Sequence, residues 1–141
     1  MGFRANVTAA LVAVAQTYAT ANPTLLRKVE SARPGGFAEL PCAFVGTRNE
    51  TVLLPGGDVM QRTIRPTLFV VDNAPDNIEA AERMDALADA LLLAYAAAYH
   101  QVSGSTLLTP VGLEDVELEV GTVSYPGFAI TFEALEITQR P

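Results

Sequence analysis

The stretch LADALLLAYAAAY, residues 87–99, constrains the fold more than any other part of the chain. Leucine and alanine favour helix, and Asp89 is the one charge in the stretch. From residue 90 onward every side of that helix is apolar, so it needs cover on more than one side. One side belongs to the chain's own core. The other needs a second element or another molecule. Residues 90–99 span about 15 Å at 1.5 Å per residue. A bilayer core takes about 20 residues, so no membrane span is expected.

The residues leading in predict a helix over about 75–100. Asp72 and Asn73 are candidate caps, Pro75 suits a first turn, and Asp76 and Glu79 complement the positive end of the helix dipole. Glu79, Glu82, Arg83, Asp85 and Asp89 give the first half a wet side, and Met84, Leu87, Ala88, Leu91, Leu92 and Tyr95 a dry one. Leu87, Leu91 and Tyr95 should lie on a sheet. Ala90, Leu93, Ala94 and Ala97 would then face a further segment or a neighbouring subunit. A second helix is expected over about 5–20, where Val7, Ala10, Leu11, Val14 and Tyr18 share one stripe. Asn22-Pro23 ends it. The start, MGFRANVTAALVAVA, loosely resembles a signal peptide, but its helical periodicity reads as the first helix of the domain.

The rest reads as β-structure. LLRKVES is a short strand, RPGGF a turn, LPCAFVG (40–46) a compact strand, and 49–54 another short strand before the turn LPGGD. In MQRTIRPTLFVVD, 60–72, Arg62 and Arg65 fall on opposite faces, and Pro66 predicts an edge position or a bulge. In the run 113–120, Val116, Leu118 and Val120 alternate with Asp115, Glu117 and Glu119. Pro126-Gly127 in YPGF predicts a type II turn, with 128–138 as the return strand. That register sets Leu118 near Leu135 and Val116 near Ile137, and it places Glu117 opposite Glu136, a pairing of like charges that argues for a shift. The expected architecture is α+β: one domain over 1–141, with a single mixed, mostly antiparallel sheet, two helices and a C-terminal β-hairpin.

Composition narrows the functional classes. Half of the residues are hydrophobic and 18% are charged, which fits a core plus buried interfaces. The single cysteine excludes an internal disulfide and a cysteine-cluster metal site, and suits synthesis in a reducing cytoplasm. The net charge of −7 is uneven: residues 1–71 carry +3 and residues 72–141 carry −10. Overall acidity argues against a dedicated DNA binder. Opposite charge on two faces suits head-to-tail contact between copies.

Chemistry is sparse. His100, the one histidine, sits near a helix end, where a capping or surface role fits. Cys42 lies in an apolar strand and reads as a small hydrophobe. Gly35-Gly36 and Gly56-Gly57 lack phosphate-loop spacing. Asp115, Glu117 and Glu119 stand about 7 Å apart along one strand face, which reads as a solvated face rather than a metal site. No catalytic, cofactor-binding or metal-binding residue is expected, and the chain is read as a non-enzyme.

The order of elements does carry a resemblance. Leu40-Pro41-Cys42-Ala43-Phe44-Val45 is followed by a strand from Arg62 to Val71, a helix from Asn77 to Tyr99, and a final segment from Tyr125 to Phe132. This layout resembles the tail terminator, or tail completion, proteins of long-tailed bacteriophages and related head–tail joining proteins. The resemblance covers nearly the whole chain and rests on layout and size. It implies a mixed sheet flanked by helices and a homohexameric ring. Such a ring caps the tail tube, stops its growth and docks onto the head. The implied partners are further copies of the chain, the tail tube protein and a head–tail connector or stopper protein, with DNA passing through without specific binding. The implied location is the head-proximal end of the virion tail, after assembly in the host cytoplasm.

Acidic residues facing a lumen would repel DNA phosphates. Asp115, Glu117 and Glu119, or Glu79, Glu82 and Asp89, are candidates for that lining. Arg62, Arg65, Leu93, Ala94 and Ala97 are candidates for subunit interfaces. Two alternatives stand beside this reading. One is another head–tail joint, a stopper or tube-like subunit. The other is a small α+β ligand-binding or enzymatic domain with a pocket around His100 or Cys42.

Overall fold

A computed structural model describes residues 2–56, 58–73, 78–98, 101–102 and 106–139. The elements are α1 (Phe3–Ala21), β1 (Lys28–Glu30), β2 (Cys42–Gly56), β3 (Val59–Val71), α2 (Ile78–Ala98), β4 (Gln101–Val102), β5 (Thr106–Val120) and β6 (Val123–Gln139). The strands lie in the order β1-β2-β3-β6-β5-β4, with the two-residue β4 extending a five-stranded sheet at one edge. β1 runs parallel to β2, and every other pairing is antiparallel. This is the expected α+β architecture, with both helices where periodicity places them. Pro75, Asp76 and His100, at the expected ends of the second helix, lie outside the described residues.

Both helices pack on one face of the sheet. α1 buries Phe3, Val7, Ala10, Leu11, Val14 and Ala19, and α2 buries Leu87, Ala88, Leu91 and Tyr95. They meet Ile64, Leu68 and Val70 of β3 and Phe128, Ile130, Phe132 and Ala134 of β6 in one cluster. The Tyr95 hydroxyl donates to the Leu11 carbonyl at 2.7 Å, which pins the helices together. The Tyr95 ring lies 4.6 Å from that of Phe132.

The opposite face is covered only at one end. There residues 31–41 fold over the sheet, setting Phe37 against Phe44 and Tyr125 at ring distances of 5.9 and 5.0 Å. Cys42, Phe44 and Val71 form the buried centre of this second cluster, with Phe69, Leu118 and Tyr125 around them. The Leu40–Pro41 peptide is cis, and the Pro41 carbonyl accepts the Arg27 amide at 3.0 Å.

Three sequence expectations are corrected. First, 40–46 and 49–54 are one strand, β2, kept continuous by a bulge between Val45 and Arg48 opposite β3. Gly46 sits in that bulge because the Phe69 ring occupies the space a Cβ would take. Second, of the edge position or bulge that Pro66 predicts, the edge is excluded and the bulge holds, since β3 is internal, between β2 and β6. Pro66 is accommodated beside the bulge, paired with Arg48, rather than at an edge. Third, YPGF is not a turn. The chain reverses at Gly121-Thr122, with Val120 paired to Val123 and Gly121 at φ +64°, the region glycine tolerates in tight hairpins. Tyr125 to Phe128 are extended within β6. Leu118 therefore faces Tyr125, Val116 faces Gly127, and Glu117 faces Pro126. The Glu117–Glu136 clash does not arise: Glu136 lies beside Arg62 on β3.

Candidate functional site

Three surface features stand out, and the first is an acidic edge. A bulge at Val111 shifts the phase of β5 between Pro110 and Gly112. Leu108 and Pro110 face the helices before it; Leu113, Asp115, Glu117 and Glu119 take that side after it. Val116 and Leu118 turn to the opposite face, where Leu118 joins the aromatic cluster. Asp115 and Glu117 then share a groove of about 320 Å³ with Met84 and Asp85 of α2. The strand acids and the wet side of α2, including exposed Glu82 and Asp89, thus form one acidic surface. The side chain of Glu79 lies outside the described residues. The start of α2 is held by Asp72, whose carboxylate is buried and accepts from the Asn73 amide at 2.8 Å and from Arg83 Nη2 at 3.1 Å.

The second feature is a groove of about 490 Å³ between the C-terminal halves of the two helices, lined by Ala13, Val14, Thr17, Tyr18, Ala94 and Ala97 among others. α1 is therefore the partial cover that the apolar half of α2 requires. Leu93 escapes it and stands 71% exposed.

The third feature, not foreseen from the sequence, is a projecting arm. The fifteen residues of β2 extend about 50 Å at 3.3 Å per residue. The nineteen of α1 extend about 28 Å. Arg4, at the start of α1, reaches Glu50 at 3.4 Å, so residues 51–56 run past the helix. β6 follows β3 out to the Val59–Gln139 pair. Val52, Leu53, Leu54 and Ile137 are left exposed there.

A charge network forms the base of this arm. Arg62 binds Glu50 through Nη2 at 2.6 Å and lies 3.6 Å from Glu136. Its guanidinium stacks 5.4 Å from the Phe3 ring centre. Arg65 lies on the opposite sheet face and pairs with Glu133 at 3.1 Å. The two arginines are on opposite faces, as their spacing predicts, and each has an acidic partner within the chain. Glu50 was legible in principle: a hairpin turning at LPGGD brings it beside Arg62. Arg62→Ala leaves Glu50 with Arg4 alone and is expected to cost about 1–2 kcal/mol, read as a shift in the urea unfolding midpoint with unchanged slope.

The reactive side chains are muted. Cys42 is buried, and burial, reinforced by Glu30, pushes its thiol up to about 11. Burial also raises the Tyr95 hydroxyl well above its usual 10.0. Both groups stay neutral in the fold but ionise sooner in the unfolded chain. Their contribution is complete below pH about 9 and is lost as pH rises through the alkaline range. Stability is expected to decline from about pH 9 upward, with the decline shallower in Tyr95→Phe. Thermal melts at stepped pH measure this. Among the described residues no group of three or more His, Cys, Asp or Glu is placed to hold a metal ion. None of the described helices is long and apolar enough to cross a membrane. No protein-family description matches this chain, and no curated protein matches it.

Proposed function

We propose that this protein is a structural subunit of a bacteriophage head–tail joint, a tail terminator that assembles as a ring on the end of the tail tube. The observation that carries the reading is the pairing of an apolar arm with an uncharged helix groove on one small, acidic subunit. Such a subunit has surface to bury at both ends. Heterologous contacts of that kind close into rings when the rotation permits. The acidic surface of Glu82, Asp85, Asp89, Asp115, Glu117 and Glu119 supports passage of DNA without adhesion. A hexamer is the ring size implied by the resemblance of layout.

Co-sedimentation tests the reading and separates it from its neighbour. Binding to isolated tail tubes supports a terminator, and binding to DNA-filled heads alone supports a stopper. Failure to bind either would reject both. Leu93→Asp is expected to leave the melting temperature within about 2 °C, because the side chain is exposed, while reducing ring assembly on tubes about tenfold. Unfolding of that variant would place Leu93 in the core instead.

A further inference from the structure

Among the described residues, two long strand edges of the sheet have no covering strand. β1 pairs with β2 only from Cys42 to Phe44, and β4 pairs with β5 only at Thr106 and Leu107. Beyond those points β2 and β5 each have one strand neighbour, β3 and β6 respectively. Alternate residues of such an edge aim an N–H and a C=O outward, and an extended strand satisfies both. Residue types fix which residues these are. Pro66 has no N–H, so its pairing with Arg48 is of the non-hydrogen-bonded kind. Arg48, Glu50 and Val52 therefore turn their backbone groups outward. On β5 the two-residue loop Gly121-Thr122 makes Val120 and Val123 a hydrogen-bonded pair. Leu113, Asp115, Glu117 and Glu119 therefore turn theirs outward. Arg33 donates to the Glu119 carbonyl at 3.0 Å, which ends the open edge of β5.

We infer that the β2 edge of one copy pairs antiparallel with the β5 edge of the next. This joint names the self-interface of the proposed ring and rests on that reading. Strand direction selects it. β2, β3, β6 and β5 alternate, so a copy in the same orientation presents β5 antiparallel to β2. Edge length selects the register. With Arg48 opposite Asp115, the open part of β2 beyond Phe44 lies along the open part of β5 between Leu107 and Glu119, and β1 and β4 both stay in place. Glu50 then faces Leu113, and no like charges stand directly opposite. Two-fold joints fare worse. β5 on β5, centred at Glu117, sets Asp115 opposite Glu119, a pairing of like charges. β2 on β2 leaves the β5 edge open in every copy. Within one copy Val45 is level with Leu113, so the joint displaces successive copies by about five residues, or about 16 Å. Over four strands about 4.8 Å apart this is a tilt of about 40°, within the range at which a sheet closes on itself.

Disulfide trapping tests it with the full chain. Asn49 and Glu114 are exposed and fall opposite each other in this register, as a non-hydrogen-bonded pair with Cα atoms about 4.5 Å apart, within reach of a disulfide. In a Cys42→Ser background, Asn49→Cys and Glu114→Cys are made separately, and circular dichroism verifies that each is folded. The two are mixed, alone and on isolated tail tubes, and mildly oxidised. A covalent heterodimer is expected as the main product. Val52→Pro in the Asn49→Cys variant removes an outward N–H and should cut the heterodimer about fivefold, whereas Val52→Ala should not. If Val52→Pro does not fold, heterodimer against homodimer still decides. A main product of Asn49→Cys homodimer would place β2 on β2. No disulfide from two folded variants would mean open edges or a strand from another protein. Either result overturns the joint. Tube binding without the heterodimer leaves the terminator reading and removes this interface; the heterodimer without binding to tubes or heads does the reverse.

Discussion

Gly127→Ala is expected to destabilise the fold by about 3 kcal/mol or more, the upper range of overpacking, and to lower the melting temperature by about 10 °C. Gly127 is buried in β6, between Val71 on β3 and Val116 on β5. A Cβ there would overlap the Val70 carbonyl and crowd the Val71 Cα. Both are backbone atoms of the neighbouring strand, so no rotamer change relieves the overlap. Two strands at the middle of the sheet must separate, and the Asp72 amide bond to the Pro126 carbonyl, 2.9 Å long, goes with them. Gly112→Ala is the control. A Cβ at that position meets only Thr131 Cβ at 3.9 Å, and the expected change is within about 0.5 kcal/mol. Differential scanning calorimetry of the pair separates a specific backbone clash from a general cost of replacing sheet glycines.

The second large effect is expected for Phe132→Ala, at about 3–5 kcal/mol. Phe132 is fully buried on β6 and packs against Tyr95 of α2, which in turn is bonded to α1. Truncation opens a cavity where both helices and the sheet meet. Tyr95→Phe, by contrast, removes only the hydroxyl that donates to Leu11 and should cost about 1 kcal/mol. The contrast between the two, measured by urea unfolding, tests whether the junction is held mainly by ring packing or by its one buried hydrogen bond.

The helices were legible because their apolar stripes repeat over many turns. The stripe of Val7, Ala10, Leu11 and Val14, and that of Leu87, Leu91 and Tyr95, are buried as their spacing requires. The strands were legible as segments but not in register. Bulges near Gly46 and at Val111 each insert one residue, and nothing in a period-2 pattern marks where that happens. The first bulge made one long strand read as two and hid the arm. The second turned the Asp115–Glu119 acids toward the helix side and brought them to α2. The C-terminal hairpin was misplaced because Pro126-Gly127 is a stronger turn signal than Gly121-Thr122. The glycine there is required instead by close approach to Val70. The like-charge pair that the wrong register created, Glu117 against Glu136, was a physical warning, and its relief by Pro126 and Arg62 shows why the actual register wins.

The charge asymmetry was legible as a number and became a surface only in the fold. Six of the late carboxylates, Glu82, Asp85, Asp89, Asp115, Glu117 and Glu119, share the α2/β5 side. Of the early arginines, Arg62 and Arg65 pair internally with Glu50 and Glu133, Arg4 and Arg48 lie at the arm base, and Arg33 donates to the Glu119 carbonyl at 3.0 Å. Leu93 and Ala97 remain exposed beside the groove, where a neighbouring subunit is proposed to cover the second side of the apolar helix.

Copies of this chain are proposed to close into a ring at a tail-tube end. Electron microscopy of purified tail tubes incubated with gold-labelled protein measures this most directly. Label is expected at one end of each tube, as a discrete ring-shaped cap, with loss of that cap in Leu93→Asp. Label scattered along the tube walls, or absent from both tubes and heads, would contradict it.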